Sequence, residues 1–158
     1  MFRRDIEGLR AIAVCFVVLF HAKFLGFTGG FVGVDVFFVV SGFLITTLLI
    51  SEHSSVGKIS LKNFYARRAR RLLPASALVI AFTALASRIW LEPLRLRNIG
   101  ADAFASGGFF SNILFGIRST DYLQAGQPPS PFQHFWSLSV EEQFYIVWPA
   151  LLILLLWK

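Results

Sequence analysis

Arg10 and His21 stand eleven residues apart around an apolar stretch, which at 3.6 residues per turn is almost a whole number of helical turns. On a helix the two side chains share one face, roughly 16 Å apart. His21 is the side chain in the first two apolar segments whose ordinary pKa lets it accept and return a proton near neutrality, the requirement for a general base. The other reading of the same position is a hydrogen-bonded histidine that fixes helix packing. Asp35 lies in Gly33-Val34-Asp35-Val36-Phe37-Phe38, with Gly42 seven residues on and nearly on the same face. A carboxylate there can orient a histidine or pair with an arginine, and it can equally be a structural ion pair of a helical bundle.

Two further groups carry chemistry. Arg67, Arg68, Arg70 and Arg71 place four planar guanidinium groups within five residues, suited to bidentate phosphate binding. The phosphates could belong to a nucleotide-bearing cofactor, to lipid headgroups or to nucleic acid. Glu141 and Glu142 open the last apolar segment, with Tyr145 one turn on. Acidic residues there complement a helix dipole, but their polar company of Trp136, Ser137, Ser139 and Gln143 marks an amphipathic entry to a span.

The elements that position these residues are apolar helices. Of 158 residues, 56% are hydrophobic and only 15% charged, where an ordinary soluble domain has about a quarter charged. Phe31 to Ile50 is the clearest span, with Asp35 its one charge. Leu9 to Leu25 precedes it, and the short connection from Gly26 to Gly30 makes the two a helical hairpin. Phe64 to Leu73 reads as a basic interfacial helix, with Pro74 in the first turn of a new helix that runs through Ala75 to Leu91. Ile99 to Ile117 is a weaker fourth segment, Leu123 to Gln133 a proline-rich loop, and Phe135 to Trp157 a final helix kinked at Pro149 and capped by Ser137 or Ser139. The fold class expected is all-α, a polytopic transmembrane bundle of four to five hydrophobic helices plus a basic interfacial one. The formal charge of +6 then reads as topology, with the N-terminus and the Ser51–Leu73 segment cytoplasmic. Arg95 and Arg97 dissent if the third segment spans fully. A nucleic-acid partner is not expected, because the arginines flank apolar spans and no soluble recognition module is visible. No metal is expected.

Several ordered blocks resemble a known family. Arg4-Asp5-Ile6-Glu7-Gly8-Leu9-Arg10-Ala11, Phe20-His21-Ala22, the run from Gly29 to Thr46, Phe64-Tyr65-Ala66-Arg67-Arg68-Ala69-Arg70-Arg71-Leu72-Leu73-Pro74, and Phe135-Trp136-Ser137-Leu138-Ser139-Val140-Glu141-Glu142-Gln143-Phe144-Tyr145 closely resemble the start of the acyltransferase-3 family. These are integral-membrane O-acyltransferases that include the lipopolysaccharide and peptidoglycan O-acetylases. The resemblance implies transfer of an acyl group, usually acetyl from acetyl-CoA, to a hydroxyl on a cell-envelope sugar. The family's essential Arg-x10-His pair falls on Arg10 and His21. Its R-x-x-R element corresponds to Arg68 and Arg71, with Arg67 and Arg70 offering a second register.

On that footing His21 is expected to be a general base on the acceptor hydroxyl or a covalent acyl carrier. Arg10, Asp35 and Glu142 are expected to orient it or to stabilise charge at the thioester carbonyl. Arg67, Arg68, Arg70 and Arg71 are expected to hold the phosphates of acetyl-CoA or another acyl-CoA. Expected partners are membrane lipids, the acyl-CoA and an envelope glycan acceptor, in a bacterial-type inner membrane. Because family members have a longer membrane domain, residues 1–158 are expected to be its N-terminal part, inactive alone. The alternative is a non-catalytic membrane subunit that packs against a partner chain supplying further helices.

Overall fold

The computed structural model describes residues 3–24, 28–121 and 128–157, and all regular elements among them are helices. Leu25 at the end of the first expected apolar segment, Gly26 and Phe27 of the expected hairpin connection, and residues 123–127 of the expected proline-rich loop lie outside the described residues. The chain divides into two units, the first ending at Ile59 and the second beginning at Ser60.

In the first unit, α1 (Arg4–His21) opens with Asp5 and Glu7 in its first turn, where the helix dipole favours acids. A 3₁₀ turn at Gly29–Phe31 leads into α2 (Val32–Val56). Gly57, at φ 74°, ends α2 and its N–H donates to the His53 carbonyl at 2.7 Å, a left-handed cap that glycine adopts without strain. The hairpin closes because two residues lack side chains. A Cβ on Gly30 would collide with the Phe16 carbonyl and Phe20 Cβ, and one on Gly33 would lie 2.5 Å from the Ala13 carbonyl oxygen and 2.9 Å from Val17 Cγ2.

In the second unit, α3 runs unbroken from Leu61 to Trp90, capped by the Ser60 hydroxyl, which accepts from the Asn63 N–H at 3.4 Å. Pro74 therefore lies inside a helix and does not open a new one. It removes one hydrogen bond, to the Arg70 carbonyl, yet the backbone on both sides stays satisfied only by remaining helical in an apolar medium.

The expected fourth segment is two short helices, α4 (Pro93–Gly107) and α5 (Ser111–Ser119). They fold back on each other, with the Phe110 N–H donating to the Ala105 carbonyl at 2.9 Å and Arg118 paired with Asp102. At 1.5 Å per residue, α4 and α5 are roughly 22 and 14 Å long, too short for a hydrocarbon core of about 30 Å. They form a short helical hairpin packed against α3 and α6. The last helix, α6 (Phe135–Leu156), contains Pro149. Neither expected serine caps it by accepting from its free N–H groups: Ser137 donates to the His134 carbonyl at 3.4 Å, and Ser139 is buried against Ser111.

Among the described residues, three helical stretches are long and apolar enough to cross a membrane, Gly29–Val56, Leu61–Trp90 and Phe135–Leu156. Only 11% of the apolar window of α3 is buried, so most of that hydrophobic surface is left for lipid or other protein. The core of the second unit is Ile99, Phe132 and Phe135, with Ile80, Ala84 and Leu138 packed on it.

Candidate active site

His21 is the last residue of α1, and its Nδ1 lies 2.8 Å from the Val17 carbonyl oxygen. A carbonyl can only accept, so Nδ1 carries the proton and the neutral ring keeps its lone pair on Nε2. The imidazole is exposed, and Phe20 meets it edge-on at 5.4 Å between ring centroids. Val17, whose carbonyl fixes this tautomer, is the residue packed against Gly33, so the close helix approach and the histidine's orientation share one support. Arg10 lies on the same face of α1, where its NH1 pairs with Glu7 Oε1 at 3.3 Å. Asp35 is exposed in the first turn of α2. It is two residues beyond Gly33, about 200° around the helix from the face that meets α1.

In the second unit α3 and α6 are joined by a charged cluster that the linear sequence does not announce. The Arg68 Nε donates to both oxygens of Glu142, at 2.9 and 3.1 Å, and its NH2 to Oε1 at 2.5 Å. The guanidinium lies over the Tyr145 ring, 3.3 Å from Cζ to the centroid. The Tyr145 hydroxyl donates to Glu141 Oε1 at 2.5 Å, and the Tyr65 hydroxyl donates to the Ile146 carbonyl at 2.9 Å. Two expected site residues, Arg68 and Glu142, are thus brought together, and Glu141 and Tyr145 join them. The i,i+4 spacing of Glu141 and Tyr145 was the available signal for their contact. Arg67, Arg70 and Arg71 remain exposed, with Arg70 Nε donating to the Ala66 carbonyl at 3.2 Å.

Above this cluster the turn between α4 and α5 brings irregular backbone to the side of α6. Gln143 Nε2 donates to the Phe109 carbonyl and to Asn112 Oδ1, both at 2.9 Å, and the Asn112 amide donates back to Gln143 Oε1 at 3.0 Å. Phe109 has a φ of 56°. Non-helical backbone at membrane depth needs such partners. Asp102, a charge within the apolar run from Ile99 to Ile117, is 2% exposed. It accepts from Arg118 and, at 2.5 Å, from the Ser130 hydroxyl. No group of three metal-ligating side chains occurs among the described residues.

The family model described as an acyltransferase domain matches residues 3–157, and the chain belongs to that family. Over 152 residues it is 43% identical to the peptidoglycan O-acetyltransferase OatA of Listeria monocytogenes, covering 96% of this chain and 24% of that protein. It is 40% identical over 148 residues to YrhL of Bacillus subtilis, provisionally named a peptidoglycan O-acetyltransferase, covering 94% of this chain and 23% of that one. A provisionally named O-acetyltransferase of Staphylococcus aureus strain COL is 40% identical over 151 residues, 96% of this chain and 25% of its own length. The chain therefore spans about a quarter of the length of these relatives. No solved structure matches.

Proposed function

We propose that the chain carries the acyl-transfer site of a membrane O-acyltransferase that moves an acetyl or other acyl group from acyl-CoA to a hydroxyl of a cell-envelope glycan, peptidoglycan being the acceptor that the relatives' names favour. The observation that carries this reading is the hydrogen bond from His21 Nδ1 to Val17, which leaves Nε2 as a base on an exposed ring. The acceptor hydroxyl gives its proton to Nε2 while its oxygen attacks the thioester carbonyl. The carbon–sulfur bond breaks, the acyl group ends as an ester on the sugar oxygen, and the departing thiolate recovers the proton from His21.

Arg67, Arg70 and Arg71, exposed on α3, hold the donor's phosphates at the cytoplasmic face of a bacterial inner membrane, with the N-terminus on the same side. Arg68 adds positive charge there, with Glu142 fixing its guanidinium plane. Arg10 holds negative charge of the donor in line with His21, whereas Asp35, turned away from α1, is left without a role at the histidine.

The test is His21→Ala in the chain's native gene context, with ester-linked acetyl on envelope glycans measured by mass spectrometry. Acetylation is expected to fall by about 10²-fold or more, the usual weight of a positioned base, at unchanged protein level. Retained acetylation would refute the assignment.

A further inference from the structure

We infer that the cavity between α4, α5 and the Pro128–Pro131 segment is a headgroup site for an anionic phospholipid, with two guanidinium groups on the phosphodiester. The cavity has a volume of about 300 Å³, at the lower end of small-molecule sites and enough for a phosphate with its glycerol. Among the described residues, the charged side chains that line it are Arg95, Arg118 and Asp102. Two cations against one carboxylate leave one net positive charge. A phosphodiester carries one negative charge, whereas a phosphate monoester carries about 1.5 to 2 at pH 7. The lining therefore balances a diester.

Asp102 is already engaged on both oxygens. One takes Arg118 Nη1, the other takes the Ser130 hydroxyl at 2.5 Å, and the Ser130 oxygen accepts from the Phe132 N–H at 3.1 Å. Arg118 is thus fixed through one nitrogen, and its remaining N–H groups are left as donors. Arg95 has no carboxylate partner among the described residues. Its hydrogen bond is a long one, from Nη2 to the Pro129 carbonyl at 3.5 Å, so most of its five-donor fork is available to the cavity it lines. The two unesterified oxygens of a diester accept from both forks, the planar pairing in which arginine surpasses lysine. Asn98 and Gln133, both exposed, line the same space with amides that donate to and accept from glycerol hydroxyls.

The surroundings of the cavity point to a lipid as the source of that phosphate. Pro93 opens α4 three residues after Trp90 closes α3, so Arg95, in the first turn of α4, stands beside the end of an apolar helix. From there α4 runs back along α3, with Ile80 and Ala84 packed on the cluster that contains Ile99, and Asp102 forms the inner wall. Ile89 and Trp90, at the end of α3, are 65% and 76% exposed, and only 11% of the apolar window of that helix is buried. A tryptophan at such an end marks the headgroup level of a bilayer, and basic pockets between membrane helices hold anionic headgroups. The bare apolar flank of α3 receives the acyl chains. A water-soluble anion would use the cavity and leave that flank unused. Lipid binding here requires only that the chain lie in a bilayer and asks nothing of acyl transfer.

The test is photolabelling of the full chain in phosphatidylcholine nanodiscs that carry a trace of phosphatidylglycerol with a photoreactive acyl chain, the labelled peptides being mapped by mass spectrometry. Peptides from the end of α3 and from α5 are expected to be labelled. That labelling is expected to fall about tenfold in Arg95→Gln and to stay unchanged in Arg97→Gln, which removes an equal charge from the same helix outside the cavity. On the unaltered chain, added phosphatidylglycerol is expected to displace the probe, and soluble glycerol phosphate at the same concentration is expected to leave it in place, a comparison that needs no variant to fold. Equal labelling by a photoreactive phosphatidylcholine, equal loss in both variants, no loss in Arg95→Gln, or displacement by glycerol phosphate would each overturn the assignment.

Discussion

Arg68 and Glu142, separated by 74 residues, meet through three hydrogen bonds between α3 and α6, with the two side chains only 23% and 12% exposed. Removing one partner leaves the other as a partly buried charge, which costs more than removing both. Glu142→Ala is expected to lower stability by about 2 kcal/mol, and Arg68→Leu/Glu142→Leu by clearly less than the sum of the single changes. Unfolding titrations in detergent measure both. Strict additivity would mean that the pair is not a coupled unit.

The Gly33 contact makes the opposite demand on size. Ala at 33 places its methyl 2.5 Å from the Ala13 carbonyl oxygen, and relief requires the hairpin to open, at about 1–3 kcal/mol. Gly8→Ala, with nothing within 4 Å, is expected to raise stability by about 0.5 kcal/mol through helix propensity alone. Gly33→Ala is also expected to shift the ¹⁵N resonances of His21, since Val17 touches both sites. A silent histidine spectrum would separate the two.

Gln143→Leu keeps the size of the side chain but strips the Phe109 carbonyl of its donor at the turn between α4 and α5. The expected loss is about 1–3 kcal/mol, the cost of an unsatisfied group in an apolar setting. Amide exchange from Gly107 to Asn112 is expected to accelerate ahead of exchange in α3. Uniform acceleration across both helices would count against a local role.

His134 provides the pH dependence. Partial burial beside Phe135, whose ring lies 4.7 Å away, pushes its pKa below the ordinary 6.5, with a hydrogen bond to the Pro131 backbone opposing the shift. The native state thus resists protonation and the unfolded chain does not. This group leaves stability unchanged above pH 6.5 and lowers it progressively as pH falls from there to the native pKa, where the loss levels off. His134→Gln is expected to flatten the melting temperature over that interval, and a slope unchanged by the substitution would assign it to another group.

The hairpin of α1 and α2 was readable because glycines flank apolar runs of helical length, and the shared face of Arg10 and His21 followed from spacing alone. Helical periodicity is a local property, and these features are local. Pairing of Arg68 with Glu142 is not, because neither residue's own segment names a partner 74 positions away. Pro74 departs from expectation for a different reason: proline's disfavour inside helices is calibrated in water, where a broken backbone finds other partners. The Ser-Gly-Gly stretch at 106–108 allows close helix packing or a break, and even a break does not distinguish a bent helix from one that turns back. Asp102 was visible as a charge in an apolar run, and only the fold supplies Arg118 and Ser130.

The turn-back of α4 and α5 also fixes the parity of the chain's crossings. A full span there would have returned α6 to the membrane from the side where α3 began, making the two helices parallel. They are antiparallel, as the contacts of Tyr65 with Ile146 and Arg68 with Glu142 require. Leu61 and Leu156 consequently lie toward the same end of the α3–α6 pair, while Arg95 and Arg118 line one cavity near the end where α3 stops and α6 begins.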